Sequence, residues 1–120
     1  MARLRLSALA QADIVNVLAW TAQRLGDQTL SRYEQLLSNA LRDLCTEPLR
    51  LGNSARPELS DGVRSYHLRH SRKRSDITRT RHLILYRIAG DSIIEVGRVL
   101  HDAIELERHV VFDFPSGSET

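Results

Sequence analysis

The chain has 120 residues, of which 42% are hydrophobic and 27% charged, with a net charge of +2, a composition typical of one globular domain. Its single cysteine, Cys45, excludes a disulfide framework and a cysteine-based zinc cluster. The sequence contains no run of 18 apolar residues, so no membrane span is predicted. The first residues lack an apolar stretch followed by a small-residue cleavage site, so we expect a cytoplasmic protein. We also expect no metal site and no cofactor.

The first half of the chain predicts one strand followed by two helices. Leu4 and Leu6 alternate with arginines in a short strand, and Ser7 is suited to cap the helix that follows. Apolar residues recur at helical spacing up to Gly26, and again from residue 28 until Pro48, which cannot continue a helix. Two helices joined by so short a turn predict an antiparallel helical hairpin.

Trp20 lies beside the apolar stripe of the first helix rather than within it. The stripe consists of Ile14, Val17, Leu18 and Leu25. Two positions are therefore open for Trp20: a partly buried one at the margin of the core, and an exposed one at which it contacts a partner protein.

The second half of the chain predicts three strands. A polar connection over residues 48–62 leads to strand patterns over residues 63–70, 82–88 and 92–100. Their short connections require an antiparallel meander, on which the helical hairpin buries its apolar stripe. The expected fold is α+β, with the order β-α-α-β-β-β and a small antiparallel sheet. We expect one domain over residues 1–112 and a flexible tail over residues 113–120.

Residues 64–87 form a strongly basic window. It holds eight Lys and Arg residues against one acid, Asp76, and carries +7, whereas the rest of the chain carries −5. Residues 71–80 are too many and too charged for a tight turn and predict a protruding loop. The window predicts a surface for nucleic acid or an acidic protein segment, the alternative being a solvated basic hairpin. Its candidate contact residues are Arg64, Arg69, Arg72, Lys73, Arg74, Arg79 and Arg81.

The last strand pattern, "SIIEVGRVL", places a cation among apolar residues. Strict alternation puts Ile94, Val96 and Leu100 on one face. Arg98 falls on that same face, where a cation needs a partner, and Asp13 in the first helix is one candidate.

The strand ends at His101, beyond which the chain is acidic and amphipathic. Glu105 and Glu107 are further candidate partners for Arg98, and the segment over residues 102–112 is a candidate contact for a partner protein. Three roles are open for both Arg98 and His101: an anchor (for His101, by bonding a backbone carbonyl), a contact with a partner protein, or a catalytic group.

With these elements in this order, the chain resembles the ParE toxins of the RelE/ParE superfamily of bacterial toxin–antitoxin pairs. The resemblance covers about residues 3–108 and rests on "LSALAQADIVNVLAWTAQRLGDQTLSRYEQLL", "GVRSYHLRH", "RHLILYRI" and "IIEVGRVLHDAIELERHV". It implies a RelE/ParE-like fold and a toxin that inhibits DNA gyrase by binding rather than by hydrolysis. It also implies a ParD-like antitoxin that neutralises the toxin and through which the complex contacts operator DNA.

A RelE-like ribosome-dependent mRNA endoribonuclease is the alternative. Cleavage of RNA by its 2′-hydroxyl needs a base, an acid and cations that stabilise the phosphorane charge. The candidates for these roles are Arg64, Arg87, Arg98 and His101, with Glu95 and Tyr86 as further acid–base groups. Asp102 follows His101 where the ribonuclease branch often has an aromatic residue, and this difference weakens the hypothesis.

Overall fold

The computed structural model describes residues 1–72, 80–90 and 92–101 of the chain. In chain order the elements are β1 (Arg3–Leu6), α1 (Ala8–Leu25), α2 (Asp27–Thr46), β2 (Asn53–Ala55), β3 (Arg64–His67), a 3-10 turn (Leu68–Ser71), β4 (His82–Ala89) and β5 (Ile93–His101). The predicted tail and most of the predicted basic loop lie outside the described residues.

The five strands form one sheet in the order β1-β5-β4-β3-β2. The predicted α+β layout is confirmed, and β3, β4 and β5 form the expected antiparallel meander. The sheet differs from the prediction in two respects. It is mixed rather than wholly antiparallel, because β1 pairs in parallel with β5. It also has a fifth strand, β2, which pairs with β3. This strand lies within residues 48–62, where the sequence predicts a polar connection without a strand.

Both helices pack on one face of this sheet and share a core with it. α2 and the sheet supply most of the buried side chains, namely Tyr33, Leu36, Leu37, Ala40, Leu44 and Cys45 from the helix and Tyr66, Ile84, Tyr86, Ile94, Val96 and Val99 from the strands. α1 adds Ala10, which is fully buried, and Ile14, Val17 and Leu18 of the predicted stripe, which are partly buried. Leu25, the last stripe residue, is about half exposed, so one side of α1 remains open to solvent. None of the helices in the described ranges is long and apolar enough to cross a membrane.

A bulge in β5 changes which side chains share a face. Gly97 is the residue that the strand register leaves without a partner on β4. Ile94 and Val96 therefore face the helices, whereas Leu100 belongs to a second apolar cluster on the opposite face. The prediction that Arg98 shares one face with all three is wrong, because the extra residue shifts the alternation by one position.

Ser7 connects the start of α1 to this bulge. Its hydroxyl accepts a hydrogen bond from the Ala10 N–H at 2.9 Å and donates one to the Gly97 carbonyl oxygen at 2.7 Å. The predicted helix cap is confirmed, and the same buried serine also satisfies a carbonyl that the bulge withdraws from the ladder.

Tyr86 gives the fold a specific dependence on alkaline pH. Its buried hydroxyl donates to the Pro48 carbonyl oxygen at 2.6 Å. Burial raises the pKa of Tyr86 to about 12, although the neighbouring Arg64 guanidinium acts in the opposite direction. The folded state therefore holds this proton more tightly than the unfolded chain. The resulting stabilisation is complete below the unfolded-state pKa of about 10 and is lost as the pH rises towards 12.

We accordingly expect the free energy of unfolding to fall by about 2 kcal/mol more in the wild type than in Tyr86→Phe between pH 10 and pH 12. Denaturant unfolding of both proteins across this range measures the difference, and an equal decline in the two would contradict the assignment.

Candidate functional site

Arg98 is held by a carboxylate of α1. Its Nε donates to Asp13 Oδ2 at 2.7 Å and its Nη2 donates to Asp13 Oδ1 at 3.0 Å. The backbone N–H of Val99 also donates to Asp13 Oδ2, at 3.0 Å. The two side chains are only 16% and 13% exposed. Asp13 is thus a partner of Arg98 as predicted, and the pair fastens the first turns of α1 to β5.

Glu95 forms a second ion pair on the other face of the sheet. Arg87 Nε donates to Glu95 Oε1 at 2.7 Å, and Arg5 Nη1 lies 3.6 Å from Glu95 Oε2. The three residues stand opposite one another on β1, β5 and β4. Glu95 has no exposed surface, whereas about a third of each arginine side chain is exposed. Glu95 is therefore a buried carboxylate held between two arginines of the neighbouring strands.

The groups proposed for RNA cleavage are distributed along the sheet. Arg64 donates to Asn53 Oδ1 at 2.6 Å and stands opposite Tyr86. His101 stands opposite His82, four residues from Tyr86 on β4 and therefore about 13 Å along the strand. Glu95 is a further row away, at about 17 Å from the His82 row. The candidate acid, base and cations do not gather around one substrate position.

A groove of about 480 Å³ lies between α1, the start of α2 and the ends of β4 and β5. Trp20 and Leu25 are each about half exposed beside it, and the Arg24 guanidinium lies 5.9 Å from the centre of the Trp20 ring. Most of its surface is apolar, and it is lined by Asn16, Val17, Trp20, Thr21, Leu25, Tyr33, Arg81, His82 and His101. Three residues predicted separately as partner contacts, Trp20, Arg81 and His101, therefore meet in one groove.

Two aromatic acid–base groups join His101 at the floor of this groove. The Tyr33 hydroxyl and His82 Nδ1 are hydrogen-bonded at 2.6 Å. The rings of His82 and His101 meet edge to face, with their centres 5.6 Å apart. Within the described ranges, no three His, Cys, Asp or Glu side chains are grouped so that they could hold a metal ion.

Comparison with known families identifies the chain. The model of a family described as the ParE toxin of type II toxin–antitoxin system, parDE, matches residues 4–106. The chain belongs to this family. It is therefore the toxin of a type II toxin–antitoxin pair, and the family implies an antitoxin as its partner. None of the curated proteins compared with the chain matches it at a significant level.

The other candidate contacts of this ParE-family toxin fall into two groups. Arg69 and Arg72 are exposed at the 3-10 turn, on a part of the molecule different from the groove. Lys73, Arg74, Arg79, Glu105 and Glu107 lie outside the described residues, so their assignment stays a prediction. The sequence did not single out Tyr33 and His82, because Tyr33 fits the apolar stripe of α2 and His82 carries no pattern of its own.

Proposed function

We propose that this ParE-family toxin inhibits DNA gyrase by stoichiometric binding in the cytoplasm, and that a ParD-like antitoxin neutralises it. In this proposal the toxin is not an enzyme. Operator DNA is recognised through the antitoxin half of the toxin–antitoxin complex.

The proposal rests on the partners of Arg87 and Arg98, two arginines that catalysis would need. Each of them is bound to a carboxylate of the toxin itself. An arginine that stabilises a phosphorane must point at the position where charge develops. Arg98 instead forms a bidentate pair with Asp13, and Arg87 donates to the buried Glu95. These pairs support anchoring roles for both arginines. Membership of the ParE family supports the proposal that the toxin is not an enzyme.

The lining of the groove beside Trp20 is suited to bind a segment of the antitoxin. An amphipathic helix would place its apolar side chains against Val17, Trp20 and Leu25. Acidic residues on the same segment would face Arg81, His82 and His101. Such a segment of a ParD-like antitoxin folds when it binds, so its apolar anchors must offset the cost of ordering.

We therefore expect Trp20→Ala to weaken antitoxin binding by roughly 30-fold or more, as truncation of a central aromatic contact usually does. Since 51% of Trp20 is exposed in the toxin alone, its stability should change by less than about 1 kcal/mol. Isothermal titration of antitoxin into toxin measures the affinity. Val15→Ala is the matched control, because Val15 is an exposed apolar residue of α1 outside the groove. Equal affinities for Trp20→Ala and wild type would exclude the groove as the antitoxin site.

The proposed function is tested by adding purified toxin to gyrase and relaxed plasmid. We expect supercoiling to decline in proportion to the toxin added, to stop when toxin and gyrase are near equal concentration, and to recover when antitoxin is added. Truncation after Leu100 should remove the inhibition, since the family resemblance assigns target contact to the end of the chain. Unaffected supercoiling at a large excess of folded toxin would contradict the proposal.

Cleavage of mRNA at the ribosome is a second candidate function, and one observation favours it. Tyr33, His82 and His101 bring three acid–base groups together in one groove that is open to solvent. If this cluster is catalytic, His101→Ala abolishes cleavage of ribosome-bound mRNA while antitoxin binding persists.

A further inference from the structure

A polar cavity of about 440 Å³ lies beside the edge strand β2, away from the groove at Trp20. Residues of β2, of β3 and of the 3-10 turn that follows β3 line most of it. Its lining is Gly52, Ser54, Arg56, Ser65, His67, Arg69, His70 and Leu83. Of these eight residues, two are arginines, two are histidines and none is acidic.

The donors of this cavity are held in place by contacts within the protein. Arg56 Nε donates to the buried Ser65 Oγ at 2.9 Å, which leaves the Ser65 hydroxyl able to donate in turn. His67 Nδ1 accepts the Arg69 N–H at 3.1 Å, so a neutral His67 carries its proton on Nε2, as a donor. The nearest described carboxylate to Arg56 is that of the exposed Glu58, at 3.7 Å from its Nη1.

His70 forms one wall of the cavity and packs directly on a glycine. Gly52 has a φ of +105°, and a Cβ at this position would lie 2.5 Å from His70 Cγ. The close approach therefore requires glycine. Burial lowers the pKa of His70, and the neighbouring Arg69, His67 and Arg50 lower it further. The Arg69 and Arg50 guanidinium groups thus lie near this wall of the cavity, Arg50 in an ion pair with Asp43 at 2.9 Å.

From this geometry we infer that the cavity binds a phosphate group of a nucleic acid backbone, and that the toxin itself contacts nucleic acid here. Guanidinium, hydroxyl and imidazole donors suit a phosphodiester, and none of the eight lining residues is acidic, although the exposed Glu58 lies beside Arg56. An acidic protein segment fits less well, because Leu83 is the one apolar side chain in the lining and offers no pocket for an anchor. The inference goes beyond the proposed function, in which DNA is contacted only through the antitoxin.

Binding of a fluorescein-labelled, 12-nucleotide single-stranded DNA to the full-length toxin tests the inference, with fluorescence anisotropy recorded at several salt concentrations. We expect Arg69→Ala to weaken binding about tenfold at low salt, as loss of a charge-assisted hydrogen bond does. The slope of log K against log salt should become shallower by about 0.7 for each phosphate that the variant no longer neutralises. Arg69→Lys should restore part of the slope because it keeps the charge.

Arg32→Ala is the control, because it removes the same charge from an exposed position on α2. We expect it to change the affinity less than twofold. Duplex DNA and inorganic phosphate, added as competitors, distinguish a backbone site from a simple anion site.

A second measurement uses the imidazole of His70. Titration followed by NMR should show its pKa rising when the oligonucleotide is bound, since a nearby phosphate favours the charged imidazole. Three results would overturn the inference: no oligonucleotide binding, binding that Arg69→Ala and Arg32→Ala affect equally, or displacement of the oligonucleotide by inorganic phosphate as effectively as by duplex DNA at the same concentration of phosphate groups. None of these results depends on whether gyrase is the target.

Discussion

Asp13→Asn should lower the free energy of unfolding by about 3 kcal/mol, the range observed when one partner of a largely buried ion pair is removed. The substitution keeps the shape of the side chain but removes the Asp13 charge that pairs with the Arg98 guanidinium. It also weakens the acceptor of the Val99 N–H, which bonds the same carboxylate. Urea unfolding at neutral pH, monitored by circular dichroism, measures the change.

The control for this prediction is Asp61→Asn, since Asp61 is exposed in a turn. Its effect should stay below about 0.5 kcal/mol. The double variant Asp13→Asn/Arg98→Met should lose less stability than the two single variants together, because each single change already breaks the same pair. Additive losses, or a loss below about 1 kcal/mol for Asp13→Asn, would show that the pair is not an anchor.

Glu95→Gln is expected to lower the free energy of unfolding by about 2–3 kcal/mol. The change removes the negative charge of Glu95, which lies on β5 between Arg5 on β1 and Arg87 on β4. The loss is smaller than for a fully enclosed pair, because both arginines are about a third exposed and can turn towards water.

Glu58→Gln is the matched comparison for Glu95→Gln. It breaks an Arg–Glu pair of 3.7 Å in which the Glu58 side chain is 59% exposed. We expect it to cost less than about 0.5 kcal/mol in the same unfolding experiment. Similar losses for the two variants would mean that burial does not strengthen the Glu95 pair.

The helices and the meander could be predicted from the sequence because their signals are local. Helical spacing, Ser7 before α1, Gly26 after it and Pro48 after α2 each act within a few residues. The parallel pairing of β1 with β5 could not be predicted in this way, since it joins residues about 90 positions apart. β2 was missed because three residues with no apolar alternation gain strand structure only from pairing with β3.

The bulge at Gly97 shows that one extra residue is enough for strict alternation to predict the wrong face for the side chains that follow it. A glycine within a strand pattern is a signal for a bulge, and the prediction of a single face for Arg98 and its neighbours did not use it. The need of Arg98 for a carboxylate was nevertheless predictable, because a buried cation requires a partner wherever it points. The choice of Asp13 follows from the position of α1 beside the part of β5 that lies beyond its pairing with β1, which is a tertiary property.

The candidate site was predictable residue by residue but not as a surface. Trp20 was considered because it lies off the stripe of α1, and Arg81 and His101 because of charge and strand position. Their meeting in one groove depends on how α1 crosses the ends of β4 and β5. Tyr33 and His82 complete the groove through a hydrogen bond between residues 49 positions apart, which no sequence pattern reports.

The central claim is that this ParE-family toxin acts by binding gyrase and not by cleaving RNA. The most direct measurement assays wild type and His101→Ala from matched preparations for inhibition of gyrase supercoiling and for cleavage of ribosome-bound mRNA. We predict that both proteins inhibit supercoiling at the same concentration within about twofold, since His101→Ala leaves in place residues 102–112, to which the family resemblance assigns target contact, and that neither cuts mRNA. Cleavage of mRNA by the wild type that His101→Ala abolishes, with gyrase unaffected by both, would contradict the account and assign the catalysis to the groove at His101.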